Sequence, residues 1–229
     1  MLQYLREFNV DLASAVASAT LLLGYESYLR LRLRKDPDYT IQNVNRRVRT
    51  AWVESIMRDP GLAVLAVQTL RNSTMASTFL ASTAVLLIMG VLTLSASAGK
   101  LADSWHALNL LGSIHTGLLM TKLLTLVVDF VVAFFAFAMA VRLYNHVGYQ
   151  VNIPPGLDSP PVTPHQVAVH LNRAGRFYSI GMRAYFYAVP LLFWLFGPEM
   201  LIAASAALVA VLYHLDRSPA AERAAEAAD

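Results

Sequence analysis

The chain has 229 residues, 56% of them hydrophobic and 14% charged, and its mean hydropathy of +0.48 excludes an ordinary soluble domain. It contains no cysteine, which rules out disulfides, thiolate nucleophiles and thiolate metal sites. The net charge of +3 comes from basic residues clustered beside apolar runs, so it speaks for membrane topology and not for nucleic acid.

Crossing a hydrocarbon core of about 30 Å takes roughly 20 apolar residues in a helix. Four runs meet that length, at about 12–29, 75–94, 117–141 and 184–213. They predict an all-α integral membrane fold, a bundle of four transmembrane helices with amphipathic cytoplasmic helices. The first run is read as a retained helix and not a secretory signal, because its strongest positive charge follows the apolar stretch instead of preceding it.

Arg30, Arg32, Arg34, Lys35, Arg46, Arg47, Arg49, Arg58 and Arg71 fall between the first and second runs, and Arg142, Arg173, Arg176 and Arg183 between the third and fourth. The positive-inside rule therefore puts connections 30–74 and 142–183 in the cytoplasm and both termini outside. Within the first connection, Ile41, Val44, Val48, Trp52, Ser55 and Ile56 share a helical face, with Arg46, Arg47 and Arg49 elsewhere. That pattern fits a helix lying on the inner membrane surface. Asp59-Pro60-Gly61 ends it, and a second short helix leads from Gly61 to Arg71.

The second run opens near Asn72 and is rich in hydroxyls, with Thr74, Ser77, Thr78 and Ser82. Small residues also crowd the first run at Ala13, Ser14, Ala17 and Ser18, and the fourth at Ala203, Ala204, Ser205 and Ala207. Close helix packing is the favoured reading, and a wet path lined by the hydroxyls is the functional alternative.

The third run carries Lys122 and Asp129, with His115 one heptad before the lysine. Two heptad steps keep a side chain within about 20° per step of one face, so the three lie on one stripe. An ionised group at mid-membrane costs roughly 2.5–3.5 kcal/mol on insertion scales and demands a partner or water. Lys122 and Asp129 are about 10 Å apart along a helix axis, too far to bridge directly, so each needs a partner from elsewhere, with a second copy as a natural source.

After Pro154-Pro155-Gly156 and Ser159-Pro160-Pro161, helix resumes with Thr163 as N-cap, Pro164 at the first position and Gln166 closing a capping box. Val167, Leu171, Ala174 and Tyr178 then follow helical spacing. Pro190 and Gly197-Pro198 interrupt the fourth run. They predict a kinked helix in which the Trp194 carbonyl is freed beside Pro198, next to Glu199. A freed carbonyl beside an acid is a candidate cation or proton station; a neutral Glu199, or one paired with Lys122, is the plainer alternative. The alanine-rich tail, 216–229, is expected to be flexible and outside.

Asp103, His106, His115 and His214 are weak candidates for a metal site, because their spacing imposes no shared geometry. No phosphate loop, dinucleotide fingerprint or nucleophile elbow occurs in the sequence, and no cofactor is implied.

Gln68-Thr69-Leu70-Arg71-Asn72-Ser73, entering the second run, and Arg176-Phe177 with Gly181-Met182-Arg183-Ala184-Tyr185-Phe186, entering the fourth, resemble the bacterial and plant membrane family catalogued as domain of unknown function 599. The resemblance covers roughly residues 20–215 and implies a multi-pass fold without an assigned chemistry. Arg71, Asn72, Arg176 and Arg183 are positive-inside anchors or, on the sharper reading, a polar ring at the cytoplasmic mouth of a path.

The leading expectation is an oligomeric protein of the bacterial inner membrane that passes protons or small ions along His115, Lys122, Asp129 and Glu199. A structural or accessory subunit of a membrane complex is the alternative, and a lipid-modifying enzyme comes third. Expected partners are the bilayer with its anionic headgroups at the cytoplasmic face, a second copy of the chain, and a further subunit; nucleic acid is not among them.

Overall fold

The computed structural model describes residues 2–96, 116–153 and 162–218. Among these are six α-helices and no strand: α1 (Leu2–Lys35), α2 (Ile41–Arg58), α3 (Ala63–Ala96), α4 (Thr116–Gln150), α5 (Pro164–Trp194) and α6 (Pro198–Asp216), with a 3-10 turn at Pro60–Leu62. Four stretches are long and apolar enough to cross a membrane: Phe8–Lys35, Pro60–Ala96, Gly117–Gln150 and Pro198–Asp216. Large apolar side chains are exposed along them, including Leu23, Phe79, Leu86, Leu124 and Phe135, as lipid-facing surfaces require.

The chain forms two compact units, 1–40 with 86–131 and 184–229, and 41–85 with 132–183. In the first unit, Val91, Leu123, Leu126, Phe130, Ala188 and Leu195 make one core. Tyr25, Leu29, Tyr39, Leu208 and Leu212 make another. Ser18 meets Ser205 and Tyr25 donates to Asp216, so α1 and α6 run parallel. Tyr187 reaches Glu26 and Trp194 reaches Asp11, so the end of α5 runs antiparallel to α1.

The fourth apolar run is thus not one kinked span. Pro190 sits inside α5 without ending it, whereas 195–197 close α5 with three-residue turns, Gly197 accepting the job of donor to the Trp194 carbonyl at 3.2 Å. Gly197 has φ 149°, a conformation that L side chains rarely adopt. Pro198 then stands at the start of a new helix, where its missing N–H is no loss. The reversal carries a second correction. Thr40 bridges Arg217, and Ser218 donates from its backbone to Tyr39 and from its hydroxyl to Asp38. Residues 216–218 therefore lie with the first connection, not on the opposite side from it. The remainder of the expected tail and the turns at 154–161 lie outside the described residues.

The second unit is built on Val53, Ile56, Met57, Ala66, Leu70, Ala140, Tyr144, Val147, Val167, Leu171 and Ala174. Here α2 buries Val53, Ile56 and Met57 while Val48 stays exposed, so its apolar face turns into protein and is rotated from the expected one. The separate short helix expected before the second span is absent, since α3 is continuous from Ala63. Asp59 starts the entry turn by accepting from the Gly61 amide at 2.9 Å. The Thr163 capping box forms in both directions, at 3.2 and 3.3 Å.

Candidate functional site: an ion pair closed between helices

Lys122 is buried at 3% exposure and Asp11 at 0%, a depth at which neither charge survives alone. Lys122 Nζ lies 2.8 Å from Asp11 Oδ1 and donates to the Trp194 carbonyl at 3.1 Å. The Trp194 indole donates to Asp11 Oδ1 at 2.9 Å, and Lys122 Nζ sits 5.4 Å from the centroid of that ring system. Ser14 donates to the Asp11 carbonyl at 2.8 Å. Three helices meet here: α1 gives the carboxylate, α4 the ammonium, and the last residue of α5 both an acceptor and a donor.

The sequence explains why Trp194 can do both. Residue 198 is proline, so the usual amide partner of the Trp194 carbonyl does not exist. The loss of that partner was legible; in its place the carbonyl accepts from the Gly197 amide at 3.2 Å and from the Lys122 ammonium at 3.1 Å. Asp11 was missed, because it reads as a charge in front of an apolar run. Its signal is Ser14 and Ser18 on the same helix, both buried, which mark a face turned into protein.

Lys122 and Asp129, two residues of the stripe, differ in burial and in partners. Lys122 finds its counter-charge within the chain, so no second copy is needed for it. Asp129 is half-buried, and its Oδ2 has no hydrogen-bond partner among the described residues. His115, with Asp103 and His106, lies outside the described residues. Of the four weak metal candidates only His214 is described; it is exposed and edges the Tyr213 ring at 5.8 Å.

Glu199 occupies the first turn of α6, where the helix dipole favours a negative charge. It does not pair with Lys122. Both of its carboxylate oxygens are buried without a hydrogen-bond partner among the described residues, and a Cβ at Gly197 would stand 2.6 Å from Oε1. Glu199 and Pro198 border a groove of about 400 Å³ between α1 and α6, lined also by Val10, Ala13, Ser14, Ala17 and Ile202, while the carboxylate oxygens themselves are buried.

At the other end of the α1–α6 pair, Arg32 donates to the Tyr28 hydroxyl at 3.1 Å, and Tyr28 and Tyr39 share a hydrogen bond at 3.1 Å. Arg217 lies over Tyr213 at 4.7 Å and over Tyr39 at 6.0 Å. Burial pushes the Tyr39 phenol above its ordinary range, so it stays neutral beside the two guanidiniums.

In the second unit, Arg71, Asn72 and Arg176 are exposed and Arg183 is half-buried. Arg49, expected on a polar face, instead turns inward: its Nε donates to Asn172 at 3.0 Å, and Asn172 donates to Thr50 at 3.0 Å. Desolvation lowers the Arg49 pKa from its usual value, though a guanidinium starting so high stays charged at physiological pH. The hydroxyls of Thr74, Ser77 and Thr78 on α3 bond the carbonyls four residues back, which satisfies them without a wet path.

Apolar helices of spanning length, with an ion pair closed between them, define a multi-pass membrane protein. The chain belongs to the family described as Protein of unknown function, DUF599, whose model matches residues 13–221. No curated protein matches it, and no solved structure does.

Proposed function

We propose that the chain is a structural or accessory subunit of an assembly in the bacterial inner membrane, and that its intramembrane charges hold helices together. The observation that carries this reading is the closed Asp11–Lys122–Trp194 contact. A lysine whose donors are taken up by a carboxylate, a carbonyl and a ring face is used in packing and cannot also select ions. Asp129, with one carboxylate oxygen unmatched among the described residues, is a side chain available to meet a partner helix, a second copy being the simplest source. The positive-inside rule orients the molecule with Arg30, Arg32, Arg34, Lys35 and Arg217 at the cytoplasmic face and the Asp11 end outside. In this orientation the end of α5 makes a further crossing, antiparallel to α6.

A proton pathway is the second reading, favoured by the unmatched oxygens of Asp129 and Glu199. Lipid modification has no comparable observation behind it. Purified protein in liposomes separates the first two. The accessory reading expects no proton flux above empty vesicles and a loss of self-association or of co-purifying subunits in Asp129→Asn. A proton flux that Asp129→Asn abolishes, with assembly unchanged, overturns it.

A further inference from the structure

We infer that α1 and α6 form a specific site for one glycerophospholipid with an anionic headgroup, its phosphate held by Arg32 and Arg217 and an acyl chain laid in the groove between the helices. The groove has a volume of about 680 Å³ and is lined by Ala17, Leu21, Gly24, Tyr25, Tyr28 and Val209, with Thr20 at its edge. Its lining is mostly apolar. From Ala17 to Tyr28 a helix rises about 17 Å, close to half of a hydrocarbon core of about 30 Å. The groove is thus the length of one leaflet, and it stops where the arginines begin.

Charge complementarity selects the occupant. Arg32 lies 5.5 Å from the Tyr28 centroid and 5.7 Å from that of Tyr39, and Arg217 lies 6.0 Å from Tyr39 on the same cluster. The side-chain contacts seen for the two arginines are with Tyr28, Tyr39 and Tyr213. The nearby acid Asp216 accepts from Tyr25. Two guanidiniums held against one cluster of aromatic rings present donors in the fork geometry that fits phosphate oxygens. Their place at the end of a leaflet-length groove favours a headgroup over a free anion.

Gly24 makes the test clean, since a Cβ there would meet nothing within 4 Å. A leucine at this position enters the groove from a Cβ that meets no neighbouring atom. The inference uses the membrane reading but not the accessory role, so a failure here leaves the liposome experiment intact.

The test is lipid retention by the detergent-purified full chain, read by native mass spectrometry with dioleoyl phosphatidylglycerol, dioleoyl phosphatidylcholine and inorganic phosphate offered separately. Phosphatidylglycerol is expected to be retained over phosphatidylcholine, with about a fivefold loss for Arg32→Gln and again for Arg217→Gln. Arg217→Lys should recover part of that loss, and Gly24→Leu should remove retention while the protein keeps its melting temperature. Equal retention of the two lipids overturns the inference, as does phosphate binding as tightly as phosphatidylglycerol, or retention that neither Arg217→Gln nor Gly24→Leu changes.

Discussion

Two cations turned into protein, one in each unit, are handled in different ways. Lys122 is nearly inaccessible and carries a full counter-charge in Asp11. Arg49 is half-buried and bonds the neutral amide of Asn172. The difference follows from solvation: an ammonium in a dry interior must be neutralised, whereas a guanidinium that keeps part of its hydration needs only its donors occupied. The first arrangement fixes three helices at one point. The second ties α2 to α5 through a chain of hydrogen bonds ending at Thr50.

The sharpest way to break the comparison is to remove one charge. Lys122→Met takes the ammonium away from the buried Asp11, and should destabilise the protein by about 3–5 kcal/mol in SDS or thermal unfolding from micelles. Adding Asp11→Leu to it should recover most of that loss, because the pair is replaced by apolar groups. A double variant as unstable as the single one would show that the contact does more than neutralise charge.

Asn172→Leu removes a neutral amide that accepts from Arg49 and donates to Thr50, so its effect should be smaller, about 1–3 kcal/mol. If it matched Lys122→Met in the same assay, Arg49 would have to be as poorly hydrated as Lys122, and the contrast would fall. Two glycines of α5 sharpen the point further. A Cβ at Gly181 would stand 2.7 Å from the ring of the buried Phe137, and one at Gly175 would stand 2.8 Å from the end of the Arg49 side chain. Alanine gains about 1 kcal/mol over glycine inside a helix. Gly181→Ala should nevertheless destabilise by about 1–2 kcal/mol, since a packed ring cannot yield. Gly175→Ala should come out near zero, because Arg49 can bend towards water. Equal losses at the two positions would mean that Arg49 is as immobile as a core aromatic.

The elements were legible wherever a local rule governs them. The Thr163–Gln166 capping box needs four residues and no tertiary knowledge, and the Pro198 effect on the Trp194 carbonyl follows from one missing N–H. What the sequence hid depends on partners far along the chain. Asp11 looks like a flanking charge until Lys122 is seen beside it, and Arg49 looks solvated until Asn172 and Gly175 are seen to receive it. Gly197-Pro198 reads equally as a kink or as a reversal, and the choice rests on whether α6 packs parallel to α1. A heptad step fixes the helix face and not the depth: Lys122 is enclosed, while Asp129 on the same face is half-buried.

The parallel pairing of the first and last helices has a consequence for synthesis. Ser18 and Tyr25 on α1 wait for Ser205 and Asp216, the second of these 191 residues later. At roughly 5–20 residues per second, the interval is on the order of 10–40 s. During that time α1 is already in the membrane with its serine face uncovered, and α4 arrives first with Lys122 for Asp11. The ion pair therefore gives the newborn helix an early companion, well before the last segment leaves the ribosome to cover the rest.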